Sequence, residues 1–480
     1  MGRSSADVRA ELGHPVVDCD GHIQEYVPAA LPALREALGP TAFERYRALG
    51  STLEVILGRG APDERVRHGF PQSAWWATPA RNTRDLATAM LPALLAERLG
   101  ELGIDFAVLY PTKAMGAAGH EDAEIRRGLC RGWNEWYAQT YRPYARQLTV
   151  AGLIPMHTPE EAIAELEHCG AIGLKVVVIP EGVYRPIPEP LGGHPSPFLM
   201  PGQTHWFDTF GLDSAHDYDP VWARFEQLGF AVTAHGGMGQ VAPNNFTSPT
   251  NYAFNHMGAI AEKMHHQVKS LFMSGVTRRF PRLPIAALEC GVNWATTLLN
   301  DIVEHWEKRN PSALASLDPA SIDWAEFESL ARRYGDGLVV PERDLQADLR
   351  DIPAAGAPPA ERDEWRHVAA TSEAELIEAF ADHFYFGCEA DDRTLTFAFH
   401  PANAGGAVLR PVFSSDIGHW DVPDMASTLA EAWDLVEDGF LSAGQFRDFV
   451  YTNPVRLLTS VNPRFFDGTA VEEAASPSSA

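Results

Sequence analysis

Six side chains able to bind a metal fall where strands of a barrel are expected to end: Asp20, His22 and Glu25 near the N-terminus, then His235, Glu289 and Asp416. Four of the six are carboxylates. An inventory so rich in oxygen points to a metal enzyme, and to iron or manganese more readily than to structural zinc. In Asp18-Cys19-Asp20-Gly21-His22-Ile23-Gln24-Glu25, strand alternation puts Asp18, Asp20 and His22 on one face, so Asp20 and His22 form an Asp-x-His pair and a turn brings Glu25 in from the side. His235 closes an apolar run and precedes Gly236 and Gly237. Glu289 ends Ile285-Ala286-Ala287-Leu288, and a carboxylate buried there needs a cation or a proton. Asp416, in Phe413-Ser414-Ser415-Asp416-Ile417-Gly418-His419, can bind metal or act as a base. Asp416, Glu289 and His419 are the candidate catalytic residues. His256 and Glu389 are further candidates as ligand or base, while His265 and His266 lie mid-helix and Lys175 lies too far inside its strand for a carbamate.

The elements that must position these residues are short apolar, β-branched runs separated by helical stretches, the pattern of parallel βα units. Eight runs are read, at 14–19, 104–110, 148–154, 172–179, 230–234, 284–288, 383–387 and 408–414. Helices are expected at 32–38, 86–102, 122–141, 159–168, 220–228, 255–274 and 295–308. Near-continuous apolar runs suit strands covered on both faces, and eight of them with helical crossovers suit an α/β fold of the (β/α)8 TIM-barrel type better than a doubly wound sheet. The chain of 480 residues then forms one barrel domain over 1–467, with insertions at 58–82, 180–214 and 310–372 and a disordered tail at 468–480. The first two insertions are candidate lids, and Trp75, Trp76, Trp206 and Phe207 are candidate apolar walls.

A formal net charge of −26 argues against a nucleic-acid partner. No run of about 18 apolar residues is available to span a membrane, and residues 1–13 show no secretory signal, so a soluble, cytoplasmic protein is expected. Cys19, Cys130, Cys169, Cys290 and Cys388 have no CxxC or zinc-knuckle spacing and read as reduced, buried fillers.

Several segments carry a resemblance nearly end to end: Val17-Asp18-Cys19-Asp20-Gly21-His22, Trp133-Asn134-Glu135-Trp136, Ala234-His235-Gly236-Gly237, Ser274 to Pro281, Glu289 to Trp294, Ser414-Ser415-Asp416 and Asn453 to Leu458. In these the chain resembles the amidohydrolase-related TIM-barrel metalloenzymes, a group of metal-dependent hydrolases and aromatic decarboxylases. Those members typically carry His-x-His or Glu-x-His on the first strand and a catalytic His on the sixth. This chain has Asp20-x-His22 and, in the sixth position, Glu289. With that departure it is similar to a branch of nonheme diiron monooxygenases, the diterpenoid hydroxylases of platensimycin-type biosynthesis. The resemblance implies two irons per chain and O2. Two His and four carboxylates are also the ligand inventory of helical di-iron carboxylate proteins.

The expected activity is therefore hydroxylation of an unactivated C–H bond in an apolar, CoA-linked or terpenoid substrate. Asp20, His22, Glu25, His235, Glu289 and Asp416 would hold the irons. Electrons would come from an external donor, because no flavin, Rossmann or ferredoxin motif is present. Arg278 or Arg279 would hold CoA phosphates or cap a helix end, and the resemblance implies a homodimer. The alternative is a mononuclear zinc or manganese hydrolase or decarboxylase. There Asp20, His22 and His235 bind the ion, Asp416 takes a proton, and Glu25 and Glu289 are structural or face the substrate.

Overall fold

The computed structural model describes residues 3–48, 62–69, 72, 82–187, 204–237, 247–338, 343–348 and 363–475. Eight parallel strands run in the order β1 (Val17–His22), β2 (Phe106–Tyr110), β3 (Leu148–Leu153), β4 (Val176–Pro180), β7 (Val232–His235), β8 (Ile285–Ala287), β9 (Phe384–Glu389) and β10 (Arg410–Ser414). Between β4 and β7 a two-stranded antiparallel ribbon, β5 (Val183–Pro186) and β6 (His205–Asp208), stands apart from the main sheet. Each of the eight strands falls on one of the expected runs. Nearly every strand residue is buried, which is why the runs are apolar without alternation.

The sheet curls until its first and last strands meet. The Asp416 amide donates to the Asp20 carbonyl (2.9 Å) and the His22 amide to the Ile417 carbonyl (2.8 Å). Asp18 adds a side-chain tie across the same seam, accepting from the Ser415 amide (3.0 Å) and hydroxyl (2.5 Å). Closure of the (β/α)8 TIM barrel thus runs through residues adjacent to the candidate metal ligands, so barrel geometry and site geometry are one problem.

Helices alternate with the strands and cover the barrel. Ala123–Tyr141 starts at an Asp122 cap whose carboxylate accepts from the Glu124 and Ile125 amides. Pro159–Ile172 is capped by Thr158 and stopped by Gly173 in the left-handed region. Two expected helices are each two pieces. The stretch 86–102 divides into Thr83–Met90 and Pro92–Leu102, because Pro92 has no amide hydrogen to continue the first. The stretch 255–274 divides into Tyr252–His256 and Ala259–Met273 at Gly258, whose φ is 77°.

The tail expectation needs correction for residues 468–475. Val471 is buried, Glu472–Ala475 is helical, and the Tyr451 hydroxyl donates to the Ala474 carbonyl at 2.5 Å. The small, polar composition of the stretch concealed these few anchoring contacts; residues 476–480 lie outside the described residues. Trp75 and Trp76 also lie outside them, as does most of 58–82. Among the described residues no helix is long and apolar enough to cross a membrane.

Candidate metal centre

All strands run the same way, so the residues at their C-terminal ends share one mouth. β1 delivers Asp20 and His22, β7 ends on His235, and Glu289 and Asp416 each stand two residues beyond the strand that leads to them. The local backbone is unusual at the last two. Glu289 and Asp416 both have φ near 50°, a left-handed conformation uncommon outside glycine. Strain of this kind persists where the surroundings over-determine the backbone, and here it turns two carboxylates back over the barrel. Two glycines permit the close approach. A Cβ on Gly21 would lie 2.8 Å from Asp18 Oδ2, and one on Gly418, with φ 96°, would lie 2.6 Å from the His22 carbonyl oxygen.

The side chains converge on a small volume. His22 Nε2 and His235 Nε2 are 3.2 Å apart. Asp20 Oδ1 lies 3.5 Å from the first and 3.6 Å from the second. Glu289 Oε2 is 3.1 Å from His235 Nε2, and Asp416 Oδ1 is 3.3 Å from His22 Nε2. His419 packs its ring on that of His22, with centroids 3.6 Å apart, and sets Nδ1 2.6 Å from Asp416 Oδ1. The outer nitrogen of His419 meets Thr112 Oγ1 at 3.3 Å. Among the described residues two groups could each hold an ion: Asp20 with His22 and His235, and His22 with Glu289, Asp416 and His419.

This arrangement fits a divalent cation. His235 Nδ1 lies 2.7 Å from the Gly236 carbonyl oxygen, so it carries the ring hydrogen and leaves the Nε2 lone pair aimed at the cluster. Neither carboxylate oxygen of Asp20, nor Oδ2 of Asp416, has a donor in good hydrogen-bond geometry although both residues are buried, and the Ser414 hydroxyl and Glu289 amide nearby compensate Asp20 only in part. Buried acceptors facing one another are costly unless a proton or a cation lies between them.

With protons alone the cluster is electrostatically frustrated. Burial raises Asp20 to about 7, and Glu289 adds to the rise. Burial also lifts Asp416 well above the carboxylate range, helped by Glu289 and Asp421. His22 is pushed down to about 3 by burial and by His235. Burial pulls His235 down as well, but Asp20 and Glu289 overcome it and raise this imidazole to about 9. His419 is driven down by burial and by His22.

Five of the six expected ligands therefore meet. Glu25 does not join them, and its assignment as a ligand is corrected. After His22 the chain turns outward, with the Ile23 amide bonded to the Tyr110 carbonyl and the Gln24 amide to the Ala89 carbonyl. The buried Glu25 carboxylate then accepts from the amides of Thr112 (3.2 Å), Lys113 (2.8 Å) and Ala114 (3.3 Å) and from the Tyr137 hydroxyl (2.9 Å). It holds the loop that presents Thr112 to His419. We expect Glu25→Ala to strand these four donors and to lower stability by about 4 kcal/mol or more, at about 1–3 kcal/mol per buried unsatisfied group. Metal content should be unchanged. Thermal unfolding with elemental analysis checks this, and a folded variant without its ion would restore Glu25 to the ligand set.

A cleft of about 470 Å³ adjoins the cluster, lined among others by His256, Glu289, Cys290, Glu389, Trp420 and Asp421. His256 stacks on Tyr252, with centroids 5.5 Å apart, and meets Trp420 edge-on. Glu389 lies at the cleft rather than in the ligand cluster, with part of its surface in solvent; desolvation on its inner side, then Glu289, Asp421, Asp391 and Asp392, raise it to about 8. Sequence reasoning missed Thr112 and Asp421. Thr112 follows the end of the second strand, a position that could have drawn attention to it; Asp421 depends on the turn after Asp416, which no local pattern announces.

The remaining candidates lie elsewhere. Lys175 donates to the Phe465 carbonyl (2.7 Å). Arg279 pairs with Asp219 and donates to the Ser274 carbonyl, which is the helix-end role. His265 and His266 sit together on one helix, their rings 5.8 Å apart. Phe207 meets Tyr184 at a tilt on the β5–β6 ribbon, with centroids 4.9 Å apart, and Trp206 is half-buried beside it. All five cysteines are free thiols, and burial holds them protonated.

The amidohydrolase family model matches residues 17–336, two-thirds of the chain and the region that carries Asp20, His22, His235 and Glu289. The chain belongs to the amidohydrolase family. Among solved structures it is similar to an amidohydrolase from Mycobacterium avium subsp. paratuberculosis K-10, at 15% identity and a TM-score of 0.52, covering 93% of this chain and 100% of that one. It is also similar to a 5-carboxyvanillate decarboxylase from Sphingomonas paucimobilis (16% identity, TM-score 0.44, 92% and 98% of the two chains). A third is a dihydroxybenzoic acid decarboxylase from Polaromonas sp. JS666 with bound manganese (13% identity, TM-score 0.45, 93% and 97%). At these identities the likeness is one of fold. No curated protein matches the chain.

Proposed function

We propose that this amidohydrolase-family enzyme is a metal-dependent hydrolase that uses one divalent ion, with Asp20, His22 and His235 as its holders and Asp416 and Glu289 at its edge. The observation that carries this reading is the 3.2 Å approach of two imidazole Nε2 atoms with the only partly compensated Asp20 carboxylate beside both. Such an ion supplies Lewis-acid polarisation of a carbonyl and lowers the proton affinity of water. The protein's own part is to manage protons and exclude solvent. Asp416 accepts the proton lost by the attacking water and returns it to the leaving group, and His419, 2.6 Å away and steadied by Thr112, orients that carboxylate.

The cleft supports a neutral or cationic substrate. Among the described residues its wall carries Glu289, Glu389, Asp391, Asp392 and Asp421, with His256 the sole basic side chain. A benzoate-type substrate for decarboxylation, or the phosphates of CoA, would meet that crowd of carboxylates. Hydrolysis of an amide or ester without negative charge fits it better.

One observation favours a second reading, that of a diiron monooxygenase with an external electron donor. The group of His22, Glu289, Asp416 and His419 offers room for a second ion beside the first. Loss of Glu25 from the ligand set counts against it, since His419 then stands in its place and three carboxylates serve where four were expected. Elemental analysis of protein from cells supplied with iron, zinc and manganese distinguishes the two. About one zinc or manganese per chain, with turnover of neutral p-nitroanilides or esters under anaerobic conditions, supports the hydrolase. About two irons, with O2 uptake on addition of a reductant, overturns it.

A further inference from the structure

Beyond the last strand, residues 417–425 form a strap that brings His419 to the metal cluster and Trp420 and Asp421 to the cleft before the helix Thr428–Glu437 begins. The strap is neither strand nor α-helix, so its course depends on partners outside it. Both of its ends are gripped, and by side chains that stand outside the metal cluster.

At the near end, the buried Gln24 donates from Nε2 to the Gly418 carbonyl at 2.9 Å. That carbonyl and the His419 amide belong to one planar peptide unit, and the amide donates to the Asp416 carbonyl at 3.2 Å. The plane from which the His419 side chain departs is therefore held on both edges. Gln24 is fixed in turn, because its amide donates to the Ala89 carbonyl (2.9 Å) of the helix Thr83–Met90. The same helix grips the far end. Asp85 Oδ2 accepts from the Met425 amide (2.8 Å), and Asn82, the cap of that helix, donates from Nδ2 to the Pro423 carbonyl (3.2 Å). Asp85 is buried, and its other oxygen accepts from Arg98 at 2.7 Å. One helix thus sets the course of residues 419–424 from both sides.

From these contacts we infer that Gln24 and Asp85 are positioning residues: Gln24 aims His419 at Asp416, and Asp85 holds the part of the cleft wall that Trp420 and Asp421 form. The inference rests on the hydrolase reading for what those strap residues do, and not for the hold itself. It gives the two ends different kinetic signatures. Loss of the Gln24 donor frees the peptide that aims His419 and acts on the chemical step. Loss of the Asp85 acceptor loosens a substrate-facing wall and acts on binding.

Steady-state hydrolysis of p-nitrophenyl acetate by the metal-loaded full chain, together with hydrogen–deuterium exchange, tests both. Gln24→Met keeps the side-chain length without the donor; it should lower kcat about tenfold and leave KM, circular dichroism and metal content near the wild type. Asp85→Leu with Arg98→Met removes a buried ion pair as a unit, a replacement often near neutral for folding, and should raise KM about tenfold with kcat little changed. Should that double variant not fold, Asn82→Ser, which keeps a helix cap and loses the bond to Pro423, takes its place with a smaller rise in KM. In each variant the amides of 417–425 should exchange at least tenfold faster while those of the eight strands keep their wild-type rates. Wild-type exchange across 417–425, or the same joint change of kcat and KM at both ends, would overturn the inference. A wild type without turnover tells against the hydrolase reading alone, and exchange across 417–425 then decides whether Gln24 and Asp85 hold the strap.

Discussion

Replacing His235 by Ala is expected to strip the ion and abolish turnover while leaving the barrel folded. His235 is the side chain on which the cluster turns: its Nε2 is 3.2 Å from His22 Nε2, 3.1 Å from Glu289 Oε2 and 3.6 Å from Asp20 Oδ1. Removing it opens the three-residue group that brackets one ion and leaves Asp20 and Glu289 facing each other across a hole. Activity should fall on the order of 10³-fold or more, as for the removal of any member of a catalytic unit that works only as a whole. Metal analysis after desalting, paired with circular dichroism, reads the two effects separately. A variant that keeps a full equivalent of metal would sink the assignment of His235.

The same cluster sets the sign of a pH effect on metal affinity. Before an ion binds, Asp20 titrates near 7 and His235 near 9, so each holds a proton below its value. A cation needs both sites deprotonated and must displace those protons, so acid weakens binding. Affinity should rise with pH by about tenfold per unit between 7 and 9, where one proton leaves, and more steeply below 7, where two do. Titration calorimetry with manganese or zinc at several pH values measures the slope. A flat affinity from pH 6 to 9 would mean that these groups do not hold the ion.

How far the site could be read from sequence follows from which forces are local. The eight strands were legible because both faces of a parallel barrel are buried, which demands apolar runs such as Phe106–Tyr110 and Val176–Pro180, and the ends of those runs point to one mouth. His235, Glu289 and Asp416 follow from that rule alone. Glu25 does not, because its position depends on where the chain goes after β1 leaves the barrel. Hydrogen bonds to Tyr110 and Ala89 decide that course, and both partners are distant in sequence. A buried carboxylate can be compensated by three amides and a tyrosine hydroxyl as well as by a cation, and residue type does not tell the two apart. The expectation of two irons rested on the resemblance to diiron monooxygenases, and the ligand inventory that agreed with it counted Glu25. Family membership and the outward turn of Glu25 leave the amidohydrolase-type reading the better supported.

Asp416→Asn is the second substitution with a large expected effect, and it separates chemistry from metal binding. The amide nearly preserves shape, so the hydrogen bond from the Asp416 main chain to Asp20 and the closure of the barrel should persist. What it removes is a proton acceptor, and loss of a positioned general base costs about 10²- to 10⁴-fold in turnover. Because Asp20, His22 and His235 form a complete group without Asp416, the variant should keep its single ion. The acid limb of the pH–rate profile should go with the carboxylate, since burial and the nearby Glu289 and Asp421 hold the Asp416 pKa high and make that limb visible in the wild type. His419→Ala should cost less, because the ring orients the carboxylate from 2.6 Å and stacks on His22 without replacing either. Should Asp416→Asn lose its metal along with its activity, Asp416 is a ligand first, and a site built of His22, Glu289, Asp416 and His419 becomes the one to pursue with iron and O2.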